Sequence, residues 1–392
     1  MHARHFRRFP RTLAAALAGA LLAGALGGCA TASKKPDKDL VWPPPPEKAR
    51  IKFVKAFSSE EQLRTGAFDV ALRVLVPSSG DVVVAQPTGL ALTPDEKALF
   101  VACSSAGRLL RVDLSSGSMK IVAQDEGRSP SRPFSVAVDA AGKFYVSDLA
   151  QNAIWVYAPD GKFLLRLQNA FLERPTGIAI DRRRQLLYVV SGVSNHSDKH
   201  RVEVFSLAGE HVRTIGTRGS GPGEFNFPTN VAVGPDGTLY VVDMLNFRIQ
   251  VFDPEGQLLG MFGQIGAGQP GTFDKAKAIA LDAFGNIYVT DSQQGFVQLF
   301  NPRYEPLMAF AGRANVPGFM LVPTAIVIDS RNTIYVADFA AGLVNVYELI
   351  NTRAQDGLAR EPEPAAAPPA AAPAATPPAA APATSRQNAQ DG

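Results

Sequence analysis

His196 and His200 stand in the stretch SNHSDKH, with Asp198 between them. Two imidazoles and a carboxylate at that spacing form a donor set that zinc accepts. Alignment of the chain's repeats sets Lys199-His200-Arg201 opposite Asn246-Phe247-Arg248, so His200 occupies a repeated position and His196 is left alone in a loop. No metal site is expected there. His196 and Asp198 are instead a candidate partner-contact loop, because the only insertion in any repeat, about five residues, falls at this point and insertions map to loops on one face. A second set recurs once per repeat: Cys103, Asp148, Ser191, Asp243, Asp291 and Asp338. Four carboxylates on one face suit a hard cation with oxygen ligands. The alternative is that each serves its own turn by accepting backbone amides, and repetition favours the turn. Cys103 has no histidine in its repeat to activate it and is expected to be a small buried filler.

A third set also has one member per repeat: Thr88, Phe134, Thr176, Thr229, Lys277 and Thr324, with Lys275 close by. Hydroxyls at strand starts can satisfy backbone groups. Lys277 and Lys275 break the pattern and offer an anion contact. These seven residues are the candidate ligand contacts of a channel mouth, and no cofactor is expected.

What would position them is a repeat. One signature reads PTGLALTP (87–94), PFSVAVDA (133–140), PTGIAIDR (175–182), PTNVAVGP (228–235), AKAIALDA (276–283) and PTAIVIDS (323–330). A second follows each start at a near-constant offset, as in FYVSDLAQNAIWVYAPDG (144–161) and LYVVDMLNFRIQVFDPEG (239–256). In the fourth unit, residues 231–234, 239–242, 249–252 and 258–262 read as strands separated by turns such as Pro235-Asp236-Gly237. Four antiparallel strands in about 47 residues make one propeller blade. The expected class is all-β: six four-stranded antiparallel blades over residues 50–352.

The pattern Pro-x-Gly-Ile-Ala-Val-Asp, then Tyr-Val-x-Asp, then Arg-Ile-Gln-Val-Phe, resembles the NHL repeat family over about residues 50–350. The resemblance implies a six-bladed ring. It also implies a structural task for the recurring Asp, and for His200, since the motif commonly carries histidine in that column.

Unit six runs out after its third strand, near Leu349. The alternating stretch at residues 50–57 is expected to supply the missing fourth strand and so close the ring, hiding two exposed edges. Residues 59–86 form a lead-in. Within it 59–76 read as helical from a capping pair such as Ser59 and Gln62, and 82–84 as an irregular strand.

The ends differ in character. Residues 1–28 hold four arginines and no acid, and 13–26 form an apolar run too short to span a bilayer but suited to a secretory signal. That run ends in Leu26-Gly27-Gly28-Cys29, which resembles the lipobox of bacterial lipoproteins. The resemblance implies lipidation of Cys29 and, with Ala30 following it, the periplasmic face of the outer membrane. Residues 29–49 read as a Pro-rich, extended spacer and 353–392 as a disordered Ala/Pro-rich tail.

Without residues 1–28 the chain keeps 35 Lys+Arg against 36 Asp+Glu, so the +3 formal charge belongs to the leader. A near-neutral body lacks the basic footprint of a nucleic-acid binder. The expected function is a membrane-anchored binding or scaffold module in the cell envelope, with a protein, peptide or glycan as partner. The alternative is a propeller enzyme of lyase or lactonase type acting at the central channel. Neither ligand nor oligomeric state is legible.

Overall fold

The computed structural model describes residues 39–63, 82–125 and 127–352. The expected leader 1–28, the lipid site Cys29, residues 64–81 of the lead-in and the tail 353–392 lie outside the described residues.

Strands apolar on both faces need a neighbour on each side, and a ring of radially set sheets supplies it. Among the described residues six antiparallel sheets form that ring. Blade one comprises Pro87–Leu92, Ala98–Cys103, Arg108–Asp113 and Met119–Val122. Blade two comprises Pro133–Val138, Phe144–Asp148, Ala153–Tyr157 and Phe163–Leu167. Blade three comprises Ile178–Asp181, Leu186–Ser191, Arg201–Ser206 and His211–Ile215. Blade four comprises Pro228–Val233, Leu239–Asp243, Arg248–Phe252 and Leu258–Phe262. Blade five comprises Ala276–Leu281, Ile287–Asp291, Phe296–Phe300 and Pro306–Ala311. In each, the first strand is innermost and the fourth lies at the rim.

Blade six takes Pro323–Ile328, Thr333–Asp338 and Leu343–Leu349 from the end of the domain and Ile51–Phe57 from its beginning. The last pair runs antiparallel from Ile51 opposite Leu349 to Phe57 opposite Val344. This is the N-terminal closure expected from the sequence, but strict alternation fails within it. A bulge falls between Phe53 and Lys55. An extra residue there rotates the rest of the strand by one face. Ile51 and Phe53 therefore pack toward blade five, whereas Phe57 packs toward blade one.

The core is divided rather than central. Six apolar clusters each join two adjacent blades; Phe100 of blade one, for example, meets Phe144 of blade two with ring centroids 4.7 Å apart. Burying one such side chain contributes roughly 1.5–3 kcal/mol. The turns follow the sequence closely. In blade four Gly237 holds φ 95° while Asp236 Oδ1 accepts the amide of Thr238 at 3.0 Å. Only glycine adopts that φ without strain.

Three local features differ from the sequence expectation. Residues 43–49 do not run extended: they turn back, so that Val41–Trp42 pairs with Ile51–Phe57 as a fifth strand of blade six. Trp42 fits among Phe310, Phe319 and Tyr347, at 5.9–6.1 Å between centroids. In the lead-in, the described helix is Glu60–Leu63, and its capping contact is made by Ser58, whose amide donates to Gln62 Oε1 at 2.6 Å. Ser59 forms a β-bridge with Val83 instead. Finally, the glycine-rich crossings into blades four and five each carry a short parallel pair: Thr217–Arg218 with Glu224–Phe225, and Gln264–Ile265 with Thr272–Phe273.

Candidate functional site

The recurring Asp column is a set of latches. Asp148 Oδ2 accepts the amide of Ser131 at 2.6 Å, while Oδ1 takes those of Ala150 and Gln151. Asp291 does the same with Asp274, Gln293 and Gln294, and Asp338 with Leu321, Val322, Ala340 and Ala341. Each carboxylate ties the turn after its own second strand to the crossing that enters its blade. Asp243 is the most heavily engaged. Its oxygens accept the Asn226 amide (2.7 Å), Asn246 Nδ2 (2.9 Å), Arg248 Nε (2.8 Å) and Gln250 Nε2 (3.1 Å). Burial pushes its carboxyl above the ordinary value, and those donors pull against the rise. Where the column carries Ser191, its Oγ accepts the Glu173 amide at 2.9 Å.

In blade one, Cys103 holds the same place, 1% exposed, with the Ala85 amide directed at its sulfur. Burial raises the thiol above its usual range, so the reactive thiolate is disfavoured. In a Cys29→Ala variant, Cys103 is expected to label with a disulfide reagent only as fast as the protein unfolds. Native labelling at the rate of an exposed thiol would contradict this burial.

His200 is likewise committed. It is fully buried, Nδ1 accepts the Phe227 amide at 3.2 Å and Nε2 lies 3.0 Å from the Ser194 carbonyl, a pairing that requires the proton on Nε2. His196 and Asp198 are exposed on the surface of that loop. Among the described residues, no three His, Cys, Asp or Glu side chains converge as a metal-binding group.

At the start of the innermost strands the threonines act between blades. Thr88 Oγ1 donates to the Phe134 carbonyl (2.8 Å), Thr229 to Lys277 (2.9 Å) and Thr324 to Pro87 (2.7 Å), each reaching the next blade in the ring. Thr176 Oγ1 is buried without a partner among the described residues. Phe134 and Lys277 cannot make this latch and sit on opposite blades, two and five. The Lys277 ammonium, half-buried, is pushed below the usual lysine value by desolvation and by Lys275. Lys275 itself is exposed, its Nζ 3.4 Å from Gln293 Oε1.

The innermost strands pair on one side only, so their other edges border the channel. A cavity of about 630 Å³ occupies it, within the range of small-molecule sites. It is lined by the innermost strands of all six blades, beyond their first residues in every blade but the third, and by residues of the hairpin turns that follow in blades one, three, four and five. Since all six strands run in the same sense, the cavity opens at the hairpin-turn end. Thr88, Phe134, Thr176, Thr229, Lys275, Lys277 and Thr324 lie at or beyond the other end, and none of them lines it.

Two residues that do line it escaped notice in the sequence: Arg182 and Arg183. The signal was the turn itself. Blade three reads DRRRQ where other blades read DAAGK, GPDGT and DAFGN. Arg182 Nε donates to the Val138 carbonyl of blade two at 3.2 Å, which holds it across the rim. The Arg183 guanidinium is exposed and has no partner among the described residues.

Comparison with known proteins agrees with this architecture. Residues 79–193 match the family described as SMP-30/Gluconolactonase/LRE-like region, and residues 186–260 match the family described as 6-bladed beta-propeller. NHL repeat-containing protein 2 of Gallus gallus is 29% identical over 190 residues, covering 45% of this chain but 22% of that protein. The match therefore spans about a fifth of the relative's length. A protein of unknown function from Bacteroides thetaiotaomicron VPI-5482 superimposes with TM-score 0.56 at 16% identity, over 69% of this chain and 71% of that one. Streptogramin B lyase does so with TM-score 0.50 at 13% identity, over 70% and 95%. At these identities the two structures share the fold alone. With six repeat units in register and a ring closed by its own N-terminal strand, the chain belongs to the NHL-repeat six-bladed β-propeller family.

Proposed function

We propose that the chain is a lipid-anchored propeller that presents its ring to a ligand or partner in the cell envelope, as a binding or scaffold module. The observation that carries the anchor is Leu26-Gly27-Gly28-Cys29 at the end of an apolar run behind an arginine-rich start. Each buried methylene adds ~0.8 kcal/mol to membrane affinity, so a lipid with two or more chains holds stably. Ala30 after the cysteine favours the periplasmic face of the outer membrane. Among the described residues the chain enters the body at Asp39 and Val41–Trp42, on the rim of blade six and away from the channel-lining strands. An envelope protein, a peptide or a glycan fits such a module.

A channel enzyme is the second reading, favoured by the fold shared with a lyase. Against it stand the carboxylates of the cavity. Glu96 accepts both the amide and the hydroxyl of Ser330, and Asp181 accepts two turn amides and Arg184. Asp282 accepts Phe284, Asn286 and Tyr288. Every oxygen of the three is therefore already engaged in holding a turn or a neighbouring blade.

Fractionation of cells carrying Cys29→Ala tests the anchor. The variant is expected in the soluble envelope fraction and the parent in the membrane fraction. A variant that stays with the membrane ends the proposal.

A further inference from the structure

The cavity has an imbalance that defines its ligand. Five ionisable residues line it: Glu96, Asp181, Asp282, Arg182 and Arg183. Every oxygen of the three carboxylates already accepts from an amide, a hydroxyl or Arg184. Asp282 is further set against ionisation, since burial pushes its carboxyl upward. The donors are not filled. Among the described residues the Arg183 guanidinium uses none of its five N–H groups, and that of Arg182 uses one. A guanidinium fork matches carboxylate and phosphate oxygens in pairs. Among the ionisable side chains of this rim, the larger unused hydrogen-bonding capacity therefore belongs to donors, carried by two cations adjacent in one turn.

Behind the rim the wall changes character. Leu92, Val138, Ile180, Val233, Leu281 and Ile328, one from each blade, ring the cavity just inside the turns. Beyond them lie the edges of the innermost strands. A ligand reaching this depth passes an apolar collar before it meets backbone groups.

We infer that the cavity binds a small organic anion, its carboxylate or phosphate on Arg182 and Arg183 and its apolar body within the collar. The inference deepens the binding-module reading by naming the ligand's chemistry. It is independent of the anchor, because release of the protein from the membrane leaves the cavity intact.

Calorimetric titration of the purified full chain tests it with four probes. These are 4-phenylbutyrate and phenyl phosphate, which carry both parts; inorganic phosphate, the head alone; and 4-phenylbutanol, the body alone. At least one of the two complete anions is expected to saturate at one per chain, with both partial probes at least about tenfold weaker. The preferred complete anion tells carboxylate from phosphate. In Arg182→Gln/Arg183→Gln, binding of that anion should fall to the level of 4-phenylbutanol. The two side chains are on a surface turn, and an unchanged unfolding midpoint verifies that the ring is whole. An Ile180→Trp variant, which fills the collar, should lose binding with both arginines present. No saturation by either complete anion, equal binding by the double glutamine variant, or equal binding of inorganic phosphate alone would each overturn the inference.

Discussion

Removing residues 39–57 is expected to abolish the cooperative fold, although these residues precede the first repeat. The segment carries two side chains with no solvent exposure, Ile51 and Phe57, and Trp42 in its aromatic cluster. Its loss strips the outer edge of Leu343–Leu349 and opens two of the six inter-blade clusters, those joining blade six to blades five and one. A domain's entire stability is about 5–15 kcal/mol, and Phe57→Ala alone should cost about 3–5 kcal/mol through the cavity it leaves. Val54, on the same strand but 42% exposed, is the control. Val54→Ala should stay within about 0.5 kcal/mol of the parent. Urea unfolding followed by tyrosine and tryptophan fluorescence reads all three variants. A deletion that keeps the parent's midpoint would show that the ring closes without its N-terminal strand.

The ring itself was legible because a blade is a local object. Strand, turn and strand recur within one unit, and Pro, Gly and Asp mark the turns at fixed offsets. The closing strand was legible for the same reason, since blade six plainly lacked its fourth strand. What the sequence did not disclose depends on contacts between units or on single-residue shifts of register. Alternation over residues 50–57 put every odd position on one face, and one bulge at Val54 moved Phe57 to the other. The run of prolines at 43–46 has the composition of an extended spacer, and it was the distant trio Phe310, Phe319 and Tyr347 that drew Trp42 back onto the sheet. For the site, the recurring carboxylates were rightly assigned to turns. The end of the channel at which the cavity lies was not legible, because it depends on how the six innermost strands come together. Three of the four threonines spend their hydroxyls on the neighbouring blade. Arg182 and Arg183 were not read as site residues, because only the closed ring places that turn at a cavity rim.

Asp243→Ala should be the most damaging single change among the latch residues, at about 3–5 kcal/mol, as for a broken buried ion pair. The reason lies in what faces each member of the column across the strand pair. Cys103 lies opposite Arg108 and Ser191 opposite Arg201, but neither is a carboxylate; Asp148, Asp291 and Asp338 lie opposite Ala153, Phe296 and Leu343, which carry no charge. Only Asp243 meets an arginine, Arg248, whose side chain is 11% exposed. Deleting the carboxylate leaves that guanidinium half-satisfied on the carbonyls of Gly221 and Glu224, and leaves Gln250 Nε2 and Asn246 Nδ2 each short of an acceptor. Asp291→Ala frees only backbone amides, at about 1–3 kcal/mol. Arg248→Met then separates charge from hydrogen bonding. Combined with Asp243→Ala it removes the stranded cation, so the double variant should be less destabilised than the sum of the singles by about 1–3 kcal/mol. Equal losses at Asp243 and Asp291, with additive behaviour of the double variant, would mean that the guanidinium reaches water once its partner is gone and that the latch is held by its backbone amides alone.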